Sequence, residues 1–101
     1  MTLEEALEKL KSSNCLKRLN LSSRREYIGD EGVQALAGAL KSENCPSLLQ
    51  LILRRNKIGK KGAQALAGYL ASGNCSPGLQ LDLAWNYIGD AGAQALAAAL
   101  M

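Results

Sequence analysis

Apolar residues along this chain switch between a strand spacing and a helix spacing, and the switch recurs. In residues 48–70, Leu51 and Leu53 follow Leu48 and stand two apart, which points both to one side of an extended segment. Asn56, Ile58 and Gly59 come next and read as a turn. From Gly62 onward Ala63, Leu66, Ala67 and Leu70 fall at helical spacing. A strand, a turn and a helix this short cannot bury their apolar faces alone. The pattern therefore calls for neighbours of the same shape.

The chain supplies them at a shift of thirty residues. Ile28-Gly29, Ile58-Gly59 and Ile88-Gly89 align, as do Gly32, Gly62 and Gly92, and the Gln-Ala-Leu-Ala runs at 34–37, 64–67 and 94–97. Asn14-Cys15, Asn44-Cys45 and Asn74-Cys75 mark the same point of each unit. A fixed period of this kind is the signature of a stacked solenoid. The run Leu48…Leu51…Leu53…Asn56…Ile58-Gly59 resembles the leucine-rich repeat in its long, helix-containing, ribonuclease-inhibitor-like form. That resemblance covers residues 14–101 and implies an α/β fold: a short leucine-rich-repeat solenoid with parallel strands on the concave side and helices on the convex side. The expected units are an N-terminal capping helix over 1–13 and repeats over 14–43, 44–73 and 74–101 in a single domain.

Each unit departs from the pattern in its own way. Thr2 and Glu5 form a capping box for the first helix, whose inward stripe is Leu3, Ala6, Leu7 and Leu10. In the first repeat Leu16, Leu19 and Leu21 give the strand, but the crossover before it is two residues shorter, and the loop after it, Ser22 to Tyr27, two residues longer, than in the second repeat. The changes cancel, and the period survives. They remove the turn asparagine, whose side chain in this family bonds the backbone of neighbouring turns. Arg24 or Glu26 stands there instead, so a bulged turn is expected. The third repeat has Gly78 for the first strand leucine but keeps Leu79, Leu81, Leu83, Asn86 and Ile88, and Asp90 is placed to cap its helix. No polar unit follows Met101, which leaves two readings: a piece of a longer array, or a last helix and strand edge open to another chain.

Composition narrows the class. The 101 residues fit one domain, 48% are apolar, and no Phe is present, so the core is built of thin Leu and Ala layers. No apolar run approaches the roughly 18 residues a membrane helix requires. The acidic, amphipathic N-terminus is unlike a secretory signal. These features read as a soluble, intracellular chain. Cys15, Cys45 and Cys75 share one repeat position. A metal or redox site competes with a small buried thiol used three times, and the absence of histidine favours the second.

Charge is concentrated in the second repeat. Residues 44–73 hold Arg54, Arg55, Lys57, Lys60 and Lys61 and no acid, whereas 1–13, 14–43 and 74–101 carry −1, +1 and −2 within a total of +3. Lys60 and Lys61 stand where the other repeats have Asp30-Glu31 and Asp90-Ala91, against the preference of a helix start for anions. Drift or an acidic partner explains the exchange. On the concave face the outward strand positions are Arg18, Asn20 and Ser22, then Gln50, Ile52 and Arg54, then Gln80, Asp82 and Ala84. The strand-end loops add Arg25, Tyr27, Arg55, Lys57, Trp85 and Tyr87. Trp85, the chain's one tryptophan, sits where the repeat requires no apolar side chain. Packing beneath a neighbouring loop is its structural reading; Trp, Tyr and Arg are also the residues of interface hot spots. The candidate partner-binding residues are therefore Trp85, Arg54, Arg55, Ile52, Asp82, Arg25, Tyr27, Tyr87, Asn20 and Lys57.

Without histidine, Ser–His and Cys–His catalysis drop out, and no carboxylate pair stands at a meaningful spacing. No enzyme, cofactor or metal is expected. The Ile-Gly-x-x-Gly glycines are not a phosphate loop, since Gly29, Gly59 and Gly89 read as turn residues in conformations barred to side chains. Protein recognition remains, with weak nucleic-acid binding through the basic second repeat as an alternative, and a fragment of a larger sensor or scaffold as another. The segment 72–100 is similar to repeats of Legionella leucine-rich-repeat effector proteins. That similarity implies a bacterial protein delivered into the host cytosol, where it binds a host protein or a co-delivered effector. Ribonuclease-inhibitor-like repeats imply inhibition by occlusion of an enzyme, through a partner with an acidic patch.

Overall fold

The computed structural model describes residues 2–11, 18–22, 27–43, 50–72 and 79–99. Helices α1 (Leu3–Lys11), α2 (Gly29–Glu43), α3 (Lys60–Ala71) and α4 (Gly89–Ala99) alternate with strands β1 (Arg18–Asn20), β2 (Gln50–Ile52) and β3 (Gln80–Asp82). The strands form one parallel sheet in the order β1-β2-β3. Parallel pairing needs a long crossover between strands, and each helix returns the chain for the next one. Helices α1 to α4 pack in sequence on the other side.

The core fills the space between the layers. Leu19, Leu21, Leu51 and Leu53 come from the sheet side, Val33, Leu36, Leu40 and Leu66 from the helices, and Ile58 from the turn; all are buried. At the β3–α4 end Leu81, Leu83, Ile88 and Leu96 are only half-buried. Helix α1 is closed by the expected box, with Thr2 N donating to Glu5 Oε1 and Glu5 N to Thr2 Oγ1, both at 3.2 Å. Its Ala6 is buried and Leu3 packs against the core, so α1 covers the face of α2.

The compensating two-residue shift is visible in the register. Leu19 pairs with Leu51, and Leu51 with Leu81. The first step spans two residues more than the second, yet Ile28 N and Ile58 N donate to asparagines 28 positions ahead in both repeats. The long loop thus restores the period after the strand. Residues 23–26, where a bulge was expected, lie outside the described residues, as do Leu16 and all three cysteines.

Asparagines at one repeat position tie successive turns together. Asn56 is fully buried; its Nδ2 donates to Leu21 O at 2.8 Å and its Oδ1 accepts from Ile28 N at 3.2 Å. Asn86 repeats this one layer on, with Nδ2 on Leu53 O and Oδ1 on Asn56 N and Ile58 N. Each asparagine reaches back to the preceding turn.

One expectation about helix starts holds with an addition, and two need correction. Lys60 and Lys61 do open α3, but its N-terminus is not without an anion. Asp30 Oδ1, from the first turn of α2, accepts from Gly59 N at 2.7 Å and Gly62 N at 3.0 Å. A neighbouring helix supplies the cap that α3 lacks in its own sequence. Helix α4 starts at Gly89, so Asp90 lies inside the first turn and not at the cap. Gly29 and Gly89 have φ +70, but Gly59 has φ −109, a value open to other residues. Space, not conformation, is the tighter demand at Gly62, where a Cβ would meet Ile58 Cγ2 at 2.6 Å and Asp30 Oδ1 at 2.7 Å.

Candidate functional site

Because the strands are parallel and in register, their outward positions form rows across the sheet. Arg18, Gln50 and Gln80 share one row and Asn20, Ile52 and Asp82 the next. The floor made by these rows is largely self-satisfied. Gln50 Nε2 donates to Gln80 Oε1 at 3.1 Å, and Asn20 Oδ1 accepts from Ser22 N at 3.0 Å. Arg54 Nε and Asp82 Oδ2 form an ion pair at 2.6 Å, while Asp82 Oδ1 accepts from Ala84 N at 3.1 Å. The Ala84 amide and the Arg54 guanidinium together hold the Asp82 carboxyl below its ordinary range. Ile52 lies half-buried between these polar pairs. A shallow hollow of about 330 Å³ runs beside β3, lined by Gln50, Ile52, Gln80, Leu81, Asp82 and Leu83.

Just past the strand ends the character changes. Trp85 and Tyr87 are each 72% exposed and Tyr27 is 55% exposed. The indole is therefore not packed beneath a loop. Arg55 lies over the Trp85 ring with its guanidinium carbon 5.6 Å from the centroid, and Lys57 Nζ stands 4.1 Å from the centroid of Tyr27. Such pairs contribute about 0.5–1 kcal/mol at exposed sites. Arg55, Lys57 and Trp85 all have left-handed backbones, with φ of 58, 55 and 62. Away from Gly, Asn and Asp that conformation costs about 1–2 kcal/mol. The fold holds these turns in place through Arg55 N on Ala84 O at 3.1 Å and Tyr87 N on Ile58 O at 2.8 Å.

The ten residues singled out in the sequence thus divide. Asn20, Ile52, Arg54 and Asp82 lie on the floor, and Tyr27, Arg55, Lys57, Trp85 and Tyr87 on an aromatic and cationic ridge at the strand ends. Arg25 falls outside the described residues. Sequence reading counted Arg54 among the basic residues of a repeat without acids, and its charge is matched by Asp82 of the next repeat. It gave Asp30 no part beyond its own helix, and no local signal could have shown that Asp30 serves α3.

Among the described residues no group of His, Cys, Asp and Glu is placed to hold a metal ion. None of the described helices is long and apolar enough to cross a membrane. No curated protein and no solved structure matched the chain. The sequence pattern of the Leucine Rich repeat family matches residues 12–37, 44–67 and 79–97. With the asparagine ladder, the parallel register and more than half of the chain matched, this protein belongs to the leucine-rich-repeat family.

Proposed function

We propose that this domain recognises one partner protein through the strand-end ridge and the adjoining floor, and that it acts by occluding an enzyme. Leucine-rich repeats serve generally as protein-binding modules, and their typical role is not catalytic. The observation that carries the reading is Trp85. The residue stays 72% exposed although its backbone is left-handed, so neither burial nor turn chemistry accounts for a tryptophan at that place. A large exposed aromatic beside Arg55 and Tyr87 is the composition of an interface hot spot. Inhibition as the outcome, a host protein or co-delivered enzyme with an acidic patch as the partner, and a bacterial effector as the setting rest on family resemblance alone.

Affinity capture with the intact protein, identification by mass spectrometry and titration of the purified partner test the reading. Trp85→Ala weakens that complex by about 2 kcal/mol, roughly 30-fold. An enzyme partner loses activity in proportion to the complex formed. Full affinity in Trp85→Ala, with loss on substitution of exposed helix residues such as Gln34 and Gln64, would place the interface on the helical side and sink the proposal.

A further inference from the structure

We propose that the partner contributes an extended, carboxylate-rich segment that crosses the ridge perpendicular to the strands. Its acidic side chains meet Arg55 and Lys57, and its apolar side chains pack on Trp85 and Tyr87. This deepens the protein-recognition reading and rests on it.

Three observations converge on that chemistry. The floor has few groups left to offer, because Gln50 is bonded to Gln80 and Arg54 to Asp82. The ridge is the reverse. Among the described residues Arg55 and Lys57 face exposed aromatic rings and no carboxylate, and Lys60 and Lys61, at the start of α3, likewise have no acidic partner. Asp30, an acid near enough to α3 to touch its first turn, is committed to Gly59 N and Gly62 N. Charge that the described residues do not neutralise is available to a partner.

Geometry sets the partner's form. Tyr27, Lys57 and Tyr87 hold one repeat position in successive layers, and Arg55 and Trp85 hold another. Adjacent strands are about 4.8 Å apart, so the ridge spans about 10 Å, a distance that about three extended residues cover. A short linear segment therefore reaches every group on it. A nucleic-acid strand fits less well. Bases bind by stacking on aromatic faces, and Arg55 and Lys57 already occupy one face of Trp85 and one of Tyr27.

The test uses the intact protein and three probes: a peptide with an Asp-Leu-Glu-Leu-Asp core between Gly-Ser flanks, the same peptide with Lys at each acidic position, and oligouridylate of matching length. Trp85 is the chain's one tryptophan, so its emission reports directly on the ridge, with calorimetry as a second measure. The acidic peptide is expected to bind saturably with a blue shift, and the lysine peptide not to bind. Arg55→Glu combined with Lys57→Glu, checked for folding by circular dichroism, weakens binding about tenfold or more. Gln34→Glu with Gln64→Glu on the helices leaves it within about twofold. No saturable binding up to about 1 mM, unchanged affinity in the double ridge variant, or tighter binding of oligouridylate each overturns the inference. If a captured partner still depends on Trp85 while the acidic peptide fails, protein recognition stands and only this segment chemistry is lost.

Discussion

The carboxylate of Asp30 lies 2.7 Å from the backbone nitrogen of Gly59, twenty-nine positions ahead, and closes a helix to which it does not belong. One oxygen serves Gly59 N and Gly62 N, two of the donors an α-helix leaves open at its start. The stack thereby ties α2 to α3 by polar bonds as well as by packing.

Removing that oxygen tests the tie. Asp30→Ala is expected to lower stability by about 1–2 kcal/mol. The melting temperature of a domain this size then falls about 4–8 °C per kcal/mol, read by calorimetry. Lys60 occupies the matching position one repeat later, so Lys60→Asp should gain about 0.3–1 kcal/mol through an anion near the start of α4. A melting point unchanged in Asp30→Ala would mean that water caps α3 equally well.

Asn56 is the most exposed to single-site damage. Asn56→Ala strips Leu21 O and Ile28 N of their buried partner, at about 1–3 kcal/mol for each group left unsatisfied. Denaturant titration should show a loss of about 3 kcal/mol or more. A loss below about 1 kcal/mol would show that the ladder adds little to cohesion between β1 and β2.

Trp85 should separate stability from recognition. Both Trp85→Ala and Trp85→Gly remove the ring, but only glycine adopts φ 62 without strain. The glycine variant is expected to be about 0.5–1 kcal/mol more stable than the alanine variant, with both equally poor in partner binding. Equal stabilities would mean that the turn relaxes once the ring is gone.

Acid should weaken the floor in a defined direction. The folded Asp82 carboxyl titrates below its ordinary value. Its contribution is therefore present above about pH 4 and lost as pH falls through the lower folded value. Replacing Asp82 with Asn removes that part of the acid limb in stability-against-pH curves. Because Arg54 faces Asp82, Arg54→Glu would set two carboxylates together, so Arg55→Glu is the cleaner probe of association rate.

Much of this was legible in the sequence. The thirty-residue period, the strand and helix spacings, the Thr2–Glu5 box and the outward rows through Gln50, Ile52 and Gln80 all reappear in place. Each follows from residues close together in the chain, or from one motif repeated. Reading broke down where two repeats meet. Nothing in the local sequence shows that Asp30 caps the helix opened by Lys60 and Lys61, or that Arg54 pairs with Asp82.

The sequence by itself determined the stack, because apolar spacing and a recurrent turn asparagine leave a short strand-turn-helix unit one economical way to bury its surface: against copies of itself. Only the tertiary structure decided which helix start borrows an acid, which arginine pairs with a carboxylate on the neighbouring strand, and that the indole of Trp85 stands in solvent on a left-handed turn. Those outcomes depend on side-chain direction and on separations of a few ångströms between residues roughly thirty positions apart, which no window of local sequence contains.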